Sequence, residues 1–471
     1  MFHDFPVTLV LRELQRDNLL PAILFRTSRK QCDDDVERLH TIDQAHLDRV
    51  VQDSLRKDVK YIVSKYGLDA AVIYDHQHFE TLIRTGVGAH HAGQLLVWRL
   101  LLEELMSRGV LRLLIATGTV AAGVDFPART VVITAHSKRG TEGFNVLTAS
   151  EFQQMSGRAG RRGKDSVGIC LIAPGMYCDA RVIHQVSKTP PEPLRSAYYA
   201  APSTVLNLLK YRSADELRYI VSKSLGGFLD RKSAKGLRDQ AQHVEEEANS
   251  EDSEVRSKSK LKKSRRLVRE AEILETRQLD LLDKSLRGLE RLGYVADGSL
   301  TEKGSWAAEL CTSIVLELAD AIDAYIFSEV PLEELVGLVA SIAGDSYRNY
   351  FNLRQNPIDN SKYQALEKVV ERVAQTYLGS PFASEVKVQK DAAVTVLTWM
   401  EADDWNEYSA LLRLGGLAEG DAARLISQTA DHLHQLSRLA ETHPDLARLA
   451  SQGRALLLRP PVTDTYQVVT V

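Results

Sequence analysis

From Leu20 to Pro174 the chain alternates short apolar runs of β type with stretches of helical spacing. The runs at 21–25, 111–116, 130–133 and 167–172 are apolar on both faces, as strands of a parallel sheet covered by helices on both sides should be. An α/β domain follows from that alternation. Residues 34–85 read as a largely helical stretch between the first strand and the segment around His90. After Pro190-Pro191-Glu192-Pro193 the β pattern nearly vanishes, and apolar positions take helical spacing, as in Val205, Leu206, Leu208, Leu209 and in Leu335, Val336, Leu338, Val339. One exception lies at 289–301, where the pattern predicts a helix, a turn, a short strand, an Asp297-Gly298 turn and a second short strand. A hairpin after a helix is the outline of a winged helix.

Composition changes this picture little. The 471 residues are 44% hydrophobic and 26% charged, enough for two to four domains. No run is long and apolar enough for a membrane span, and the start lacks a basic stretch followed by an apolar one, so neither a span nor a secretory signal is expected. Cys32, Cys170, Cys178 and Cys311 fall in no short paired spacing, which points to no disulfide framework or zinc site and fits a reducing cytoplasm. The net charge of −4 gives no global basic footprint, so any nucleic-acid contact must be local. Residues 245–270 mix Glu245, Glu246 and Glu247 with Lys258, Lys260, Lys262, Lys263, Arg265 and Arg266, which reads first as a solvated helical face.

Two segments carry chemistry. In Gln154-Met155-Ser156-Gly157-Arg158-Ala159-Gly160-Arg161-Arg162-Gly163, three glycines let backbone approach a polyanion, and arginines three apart can reach one phosphate cluster. Upstream, Ala116-Thr117-Gly118-Thr119 and the following Gly123-Val124-Asp125 come after a predicted buried strand. That puts Thr117 and Thr119 at a strand's carboxyl end, where open α/β sheets bind ligands and where hydroxyls and free N–H groups can hold backbone phosphates. A small-residue turn after a strand can also be plain fold chemistry.

The first segment resembles motif VI of superfamily-two helicases and the second motif V. The stretch 22–30, with Ser28 at its polar end, resembles motif IV, and Gly88-Ala89-His90-His91-Ala92-Gly93 resembles the HHxG segment of the superkiller-like RNA helicase group. The stretch 194–232, Leu292-Gly293-Tyr294 with Leu300-Thr301-Glu302-Lys303-Gly304, and the run 416–424 ending in Arg424 look like the parts that follow motif VI in that group. The resemblance implies that Arg158 and Arg161, with Gln154, act at the ATP γ-phosphate. It places Gly123 and Asp125 at the nucleotide, Asp125 near the ribose, and Ser28, His91, Thr117, Thr119 and Arg424 along the nucleic-acid strand. A metal site at the His pair is not expected, because no third ligand is spaced nearby.

The sequence departs from that group at Asp125, where Asn is more usual, at 233–285, where several members insert a long arch, and at Trp399-Met400-Glu401-Ala402, which favours a core role for Trp399. No GxxxxGK loop followed by Ser or Thr occurs, and no Asp-Glu box. The expected architecture is a RecA-like α/β lobe at 1–190, a winged helix at 191–312 interrupted by a charged helical insertion at about 233–285, and a helical bundle at 313–471. The expected function is the C-terminal half of an ATP-dependent helicase, inactive without an N-terminal RecA-like lobe in cis or in trans that holds the ATP phosphates and Mg2+. Its expected partner is single-stranded RNA; a DNA substrate and a non-catalytic nucleic-acid clamp remain alternatives at this point.

Overall fold

A computed structural model describes residues 5–118, 128–140, 143–173, 175, 178–250, 254–350 and 354–463. The chain divides into two compact units: residues 1–193 with 398–427 and 457–471, and residues 194–397 with 428–456.

The first unit is built on five parallel strands, β1 (Ala22–Phe25), β2 (Val87–His90), β3 (Leu113–Ala116), β4 (Thr130–Ile133) and β7 (Ile169–Ile172), in the order β2-β3-β1-β4-β7. Every residue of β1 to β4 is buried, which is why these segments read as continuous apolar runs. The expected two-sided burial fails at β7. This strand has a neighbour on one side only, and its Cys170 and Leu171 are exposed. β2 carries no long apolar run and was not among the expected strands. Helices α1 (Val7–Arg16), α2 (Arg29–His40), α3 (Arg49–Tyr66), α4 (Ala70–Tyr74), α5 (Phe79–Thr85) and α6 (Leu96–Ser107) precede β3, so the stretch 34–85 is helical as read. The hairpin of β5 (Ser137–Gly140) and β6 (Gly143–Val146) leads into α7 (Ala149–Ser156), and α8 (Ala180–Lys188) follows β7.

The second unit begins with α9 (Pro202–Leu209) and α10 (Ala214–Lys223). Next come two long helices, α11 (Leu225–Asn249) and α12 (Glu254–Arg291), which pack along each other. Buried positions recur every seventh residue, Ala234, Ala241 and Ala248 on one helix and Ser264, Ala271, Gln278 and Ser285 on the other, all of them small except Gln278. A seven-residue repeat of mostly short side chains keeps one face of each helix turned to its partner. The Arg238 guanidinium forks onto Glu275 and Arg277 onto Asp230 across the pair. The expected hairpin follows, β8 (Val295–Ala296) and β9 (Ser299–Leu300), turning on Asp297 and Gly298, both at positive φ as a type I′ turn requires.

The remaining helices are α13 (Glu302–Ala307), α14 (Val315–Asp323), α15 (Leu332–Ala343), α16 (Asn360–Thr376), α17 (Lys390–Glu401), α18 (Trp405–Gly415), α19 (Glu419–Ser437) and α20 (Pro444–Leu457). In α15 everything from Leu335 to Ala343 is buried, making it the central helix of the second unit. Asp320, fully buried, accepts from the Tyr294 hydroxyl at 2.6 Å and pairs with Lys303 at 2.7 Å and Arg372 at 2.5 Å. Trp399 is a core residue of the first unit: it is fully buried, its Nε1 donates to the Leu457 carbonyl at 3.0 Å, and the Arg459 guanidinium lies 3.9 Å over its ring.

Candidate nucleotide and nucleic-acid edges

Because all five strands of the first unit run the same way, the segments that follow them emerge at one edge of the sheet and those that precede them lie at the other. Ser28 follows β1, His91 follows β2 and Thr117 follows β3, so these three sit at the carboxyl ends of three adjacent strands. Ser28 is the N-cap of α2, its hydroxyl accepting from the Gln31 N–H at 3.2 Å. His91 is buried. Its Nε2 lies 3.0 Å from Asp33 Oδ1 and its Nδ1 accepts from the Gly93 N–H at 3.1 Å, so both ring nitrogens are engaged within the protein.

Asp33 is the centre of a wider knot. His78 Nε2 at 3.2 Å and the Gln94 amide at 2.9 Å share the same carboxylate oxygen, and Gln94 in turn meets His76 at 2.9 Å. Burial works against charge on Asp33, but the bonds from His78 and His91 overcome it and hold this carboxyl well below the usual range. His76 is stacked on Trp98 with ring centroids 3.7 Å apart, and burial lowers its pKa to about 3. His90 faces Glu103, its Nε2 at 2.7 Å from that carboxylate. Among the described residues no group of His, Cys, Asp and Glu has the arrangement of a metal site.

The start of α19 docks at this same edge. The Gly420 N–H donates to the Gly93 carbonyl at 2.9 Å, and a Cβ at Gly420 would stand 2.6 Å from the carbonyl oxygens of both Ala92 and Gln94. Beside it the Arg29 guanidinium contacts both oxygens of Asp421 at 3.0 and 2.8 Å. Arg424, one turn along, is exposed. Next to these residues a cavity of about 340 Å³ opens over the ends of β1, β3 and β4, lined by Arg26, Thr27, Gly118, Lys138, Glu151 and Gln154 among others. Gln154 therefore lies on the cavity wall, one turn before Arg158. Lys138 and Glu151 form an ion pair there, and Glu151 also completes a capping box with Thr148 at the start of α7.

The opposite edge holds the arginine loop. Residues 157–168 connect the end of α7 to the start of β7, and Ala128, just before β4, ties that loop down. The Ala128 N–H donates to the Arg158 carbonyl at 2.9 Å, and the Gly160 N–H donates to the Ala128 carbonyl at 2.7 Å. Gly168 packs against this loop so closely that a Cβ there would stand 2.3 Å from the Ala159 carbonyl oxygen. The Arg161 guanidinium forks onto Asp165, with Nε at 2.7 Å and Nη2 at 2.9 Å, while the Arg161 N–H donates to the same carboxylate at 3.0 Å. Arg129 adds a fourth bond at 3.0 Å and anchors itself on the Asn18 carbonyl at 2.7 Å. The Arg161 fork holds the Asp165 carboxyl well below its usual range and raises the guanidinium in turn.

Thr119, Gly123 and Asp125 lie outside the described residues. Sequence reasoning missed Asp165, Asp33, Arg29 and Asp421. Asp165 was within reach of it, since an acid four residues after an arginine is a recognisable pairing. The Arg29–Asp421 contact spans 392 positions, and no local signal announces it.

Comparison with known proteins agrees with this layout. Residues 72–163 match the helicase conserved C-terminal domain, and residues 297–465 match the DSHCT (NUC185) domain. The chain is 28% identical over 303 residues to the DExH-box ATP-dependent RNA helicase DExH15 chloroplastic of Arabidopsis thaliana, covering 60% of the chain and 25% of that protein. It is 30% identical over 245 residues to human Exosome RNA helicase MTR4, covering 51% and 23%, and 32% identical over 234 residues to mouse Superkiller complex protein 2, covering 48% and 18%. The matched stretch thus spans a quarter or less of each of these relatives. With a match to a helicase C-terminal domain followed by a match to a DSHCT domain, and with these relatives, the chain is similar to the C-terminal half of superkiller-like DExH-box helicases.

Proposed function

We propose that this chain is the motor's second lobe and its attachments in an ATP-dependent RNA helicase, completed by an N-terminal RecA-like lobe in cis or in trans. The observation that carries this reading is the separation of two edges on one parallel sheet: strand-end residues Ser28, His91 and Thr117 at one, and an arginine loop braced by Asp165 and Ala128 at the other. RNA rather than DNA is supported by relatives named as RNA helicases. A clamp without catalysis is disfavoured, because a forked and braced arginine serves phosphate chemistry better than inert gripping.

In this reading Arg158 and Arg161 stabilise the charge that develops on the γ-phosphate, and Gln154 helps align them. Gly123 and Asp125 face the nucleotide, Asp125 near the ribose. Thr117 and Thr119 hold the backbone of the strand, with Ser28, His91 and Arg424 along its path. Since Ser28 is occupied in capping and His91 in the Asp33 knot, their part is to set the shape of the strand edge, whereas Arg424 offers a solvent-facing charge. Mg2+ belongs with the P-loop lobe, which supplies its ligands. Residues 191–312 make up a winged helix with a charged helical insertion at about 233–285; the type I′ hairpin at 295–300 and the α11–α12 pair support that reading. Four cysteines left as thiols suit a reducing cytoplasm.

The test joins this chain to a P-loop lobe and compares Arg161→Ala with the parent. RNA-stimulated ATP turnover should fall by a factor on the order of 10³–10⁵, as for other arginine fingers, while strand affinity stays nearly constant. Loss of strand binding with ATPase retained would assign the loop to nucleic acid instead.

A further inference from the structure

An acidic recess lies in the second unit. It is a trench of about 630 Å³ between the start of α9, α14, the end of α15 and the segment 381–386. Four carboxylates, Glu317, Asp345, Glu385 and Asp431, line it, and no lysine or arginine is among the described residues of its wall. Asp345 takes a bond from Arg348 at 3.0 Å, but among the described residues Glu317, Glu385 and Asp431 have no basic side chain within ion-pair distance. Glu317 is 3% exposed and its one described side-chain bond is from the Ser384 hydroxyl at 2.5 Å. Burial raises its pKa, the mark of a carboxylate lacking a counter-charge. His432 on the wall adds no positive charge near neutrality, because burial lowers its pKa to about 4. The buried amide oxygen of Gln428, also on the wall, is an acceptor without a donor among the described residues.

Aromatic rings complete the recess. Phe382 stands between Tyr199 and Tyr377, with centroids 5.5 and 6.1 Å away, and Tyr347 projects 75% exposed at the rim. The Tyr377 ring is fixed by its hydroxyl, which donates to the Ser285 carbonyl at 3.2 Å. Ring faces and unpaired carboxylates attract the same kind of ligand, an organic cation. Of the organic cations, a guanidinium fits best, since it stacks flat on rings and forks onto a carboxylate, which a compact ammonium cannot do. Phosphates are repelled by the carboxylates, so the recess is unsuited to the RNA strand.

We propose that this trench docks an arginine side chain presented by a basic segment of a partner protein. The volume falls in the range of about 300–1,000 Å³ typical of multi-group ligands, so it accommodates neighbouring peptide atoms as well as the guanidinium.

The test uses the full chain and fluorescence anisotropy with a labelled Ala-Arg-Arg-Ala peptide and its citrulline counterpart, which keeps the shape and loses the charge. The arginine peptide should bind saturably below about 1 mM, and citrulline at least about tenfold more weakly. Glu317→Gln, which preserves volume, and Tyr347→Ala, at an exposed position whose loss leaves the core intact, should each weaken binding by about tenfold without changing the melting temperature appreciably. Equal binding of the two peptides, or indifference to both variants, would overturn the proposal. So would displacement by a short oligoadenylate, which would make the recess a nucleic-acid site, or by spermidine at peptide-like concentrations, which would make its ligand a free polyamine.

Discussion

One carboxylate fixes the Arg161 side chain. Arg161 has Nε, Nη2 and its own N–H committed to Asp165, which fixes the guanidinium, and its Nη1 lies beside Gly109. In a joined enzyme, Asp165→Asn should therefore reproduce most of the ATPase loss of Arg161→Ala with little change in the Michaelis constant for ATP; steady-state kinetics of the pair would show it. Arg161→Lys should rescue poorly, because a point charge cannot form the same fork. A pH dependence follows from His76. Its folded pKa of about 3 lies below the ordinary value of about 6.5, so above pH 6.5 both folded and unfolded forms are neutral and stability is unaffected. As pH falls from about 6.5 towards 3 the unfolded chain takes up the proton first, and stability drops by at most about 1.4 kcal/mol per pH unit from this one group. Denaturant titrations across that range should show a shallower slope for His76→Gln than for the parent.

Elements meet through residues whose smallness matters. Gly420 lets α19 approach the 92–94 backbone, and Gly420→Ala should cost about 1–3 kcal/mol as the helix is pushed off that edge, read as a lowered denaturation midpoint. Arg29→Ala, which removes a partly exposed ion pair, should cost no more than about 1 kcal/mol. Likewise Ala241→Leu should force α11 and α12 apart and cost about 1–3 kcal/mol, whereas Lys262→Ala on the solvent side should be nearly silent. The charges at 245–270 were legible as a solvated face, yet they drew the eye from the Ala and Ser positions beneath them, whose period of seven is what joins the two helices. Strands β1, β3 and β4 were legible because complete burial writes itself as unbroken apolar sequence. β2 was not, since Val87-Gly88-Ala89-His90 is buried by neighbours supplied from elsewhere in the chain. At the candidate site the arginine loop and Thr117 could be read from local motifs, while the Asp33 knot and the Arg29–Asp421 ion pair depend on distant segments meeting.

At the level of the whole molecule, a chain without a GxxxxGK loop and without a metal-type cluster among its described residues should show no RNA-stimulated ATPase when purified alone. It should still bind single-stranded RNA weakly, with affinity falling steeply as salt rises, because phosphate contacts and counterion release dominate such binding. Filter binding across a salt series measures both features, and salt-insensitive binding would contradict the strand-edge reading. The division into units has a genetic corollary. The polypeptide crosses from one unit to the other four times, after residues 193, 397, 427 and 456, and residues 398–427 supply the Gly420 and Asp421 contacts of the first unit. A stop codon anywhere before residue 398 would thus remove residues 398–427 from the unit that residues 1–193 build. Late nonsense alleles should behave as full nulls, and neither unit can be inherited, exchanged or duplicated as one uninterrupted stretch of gene.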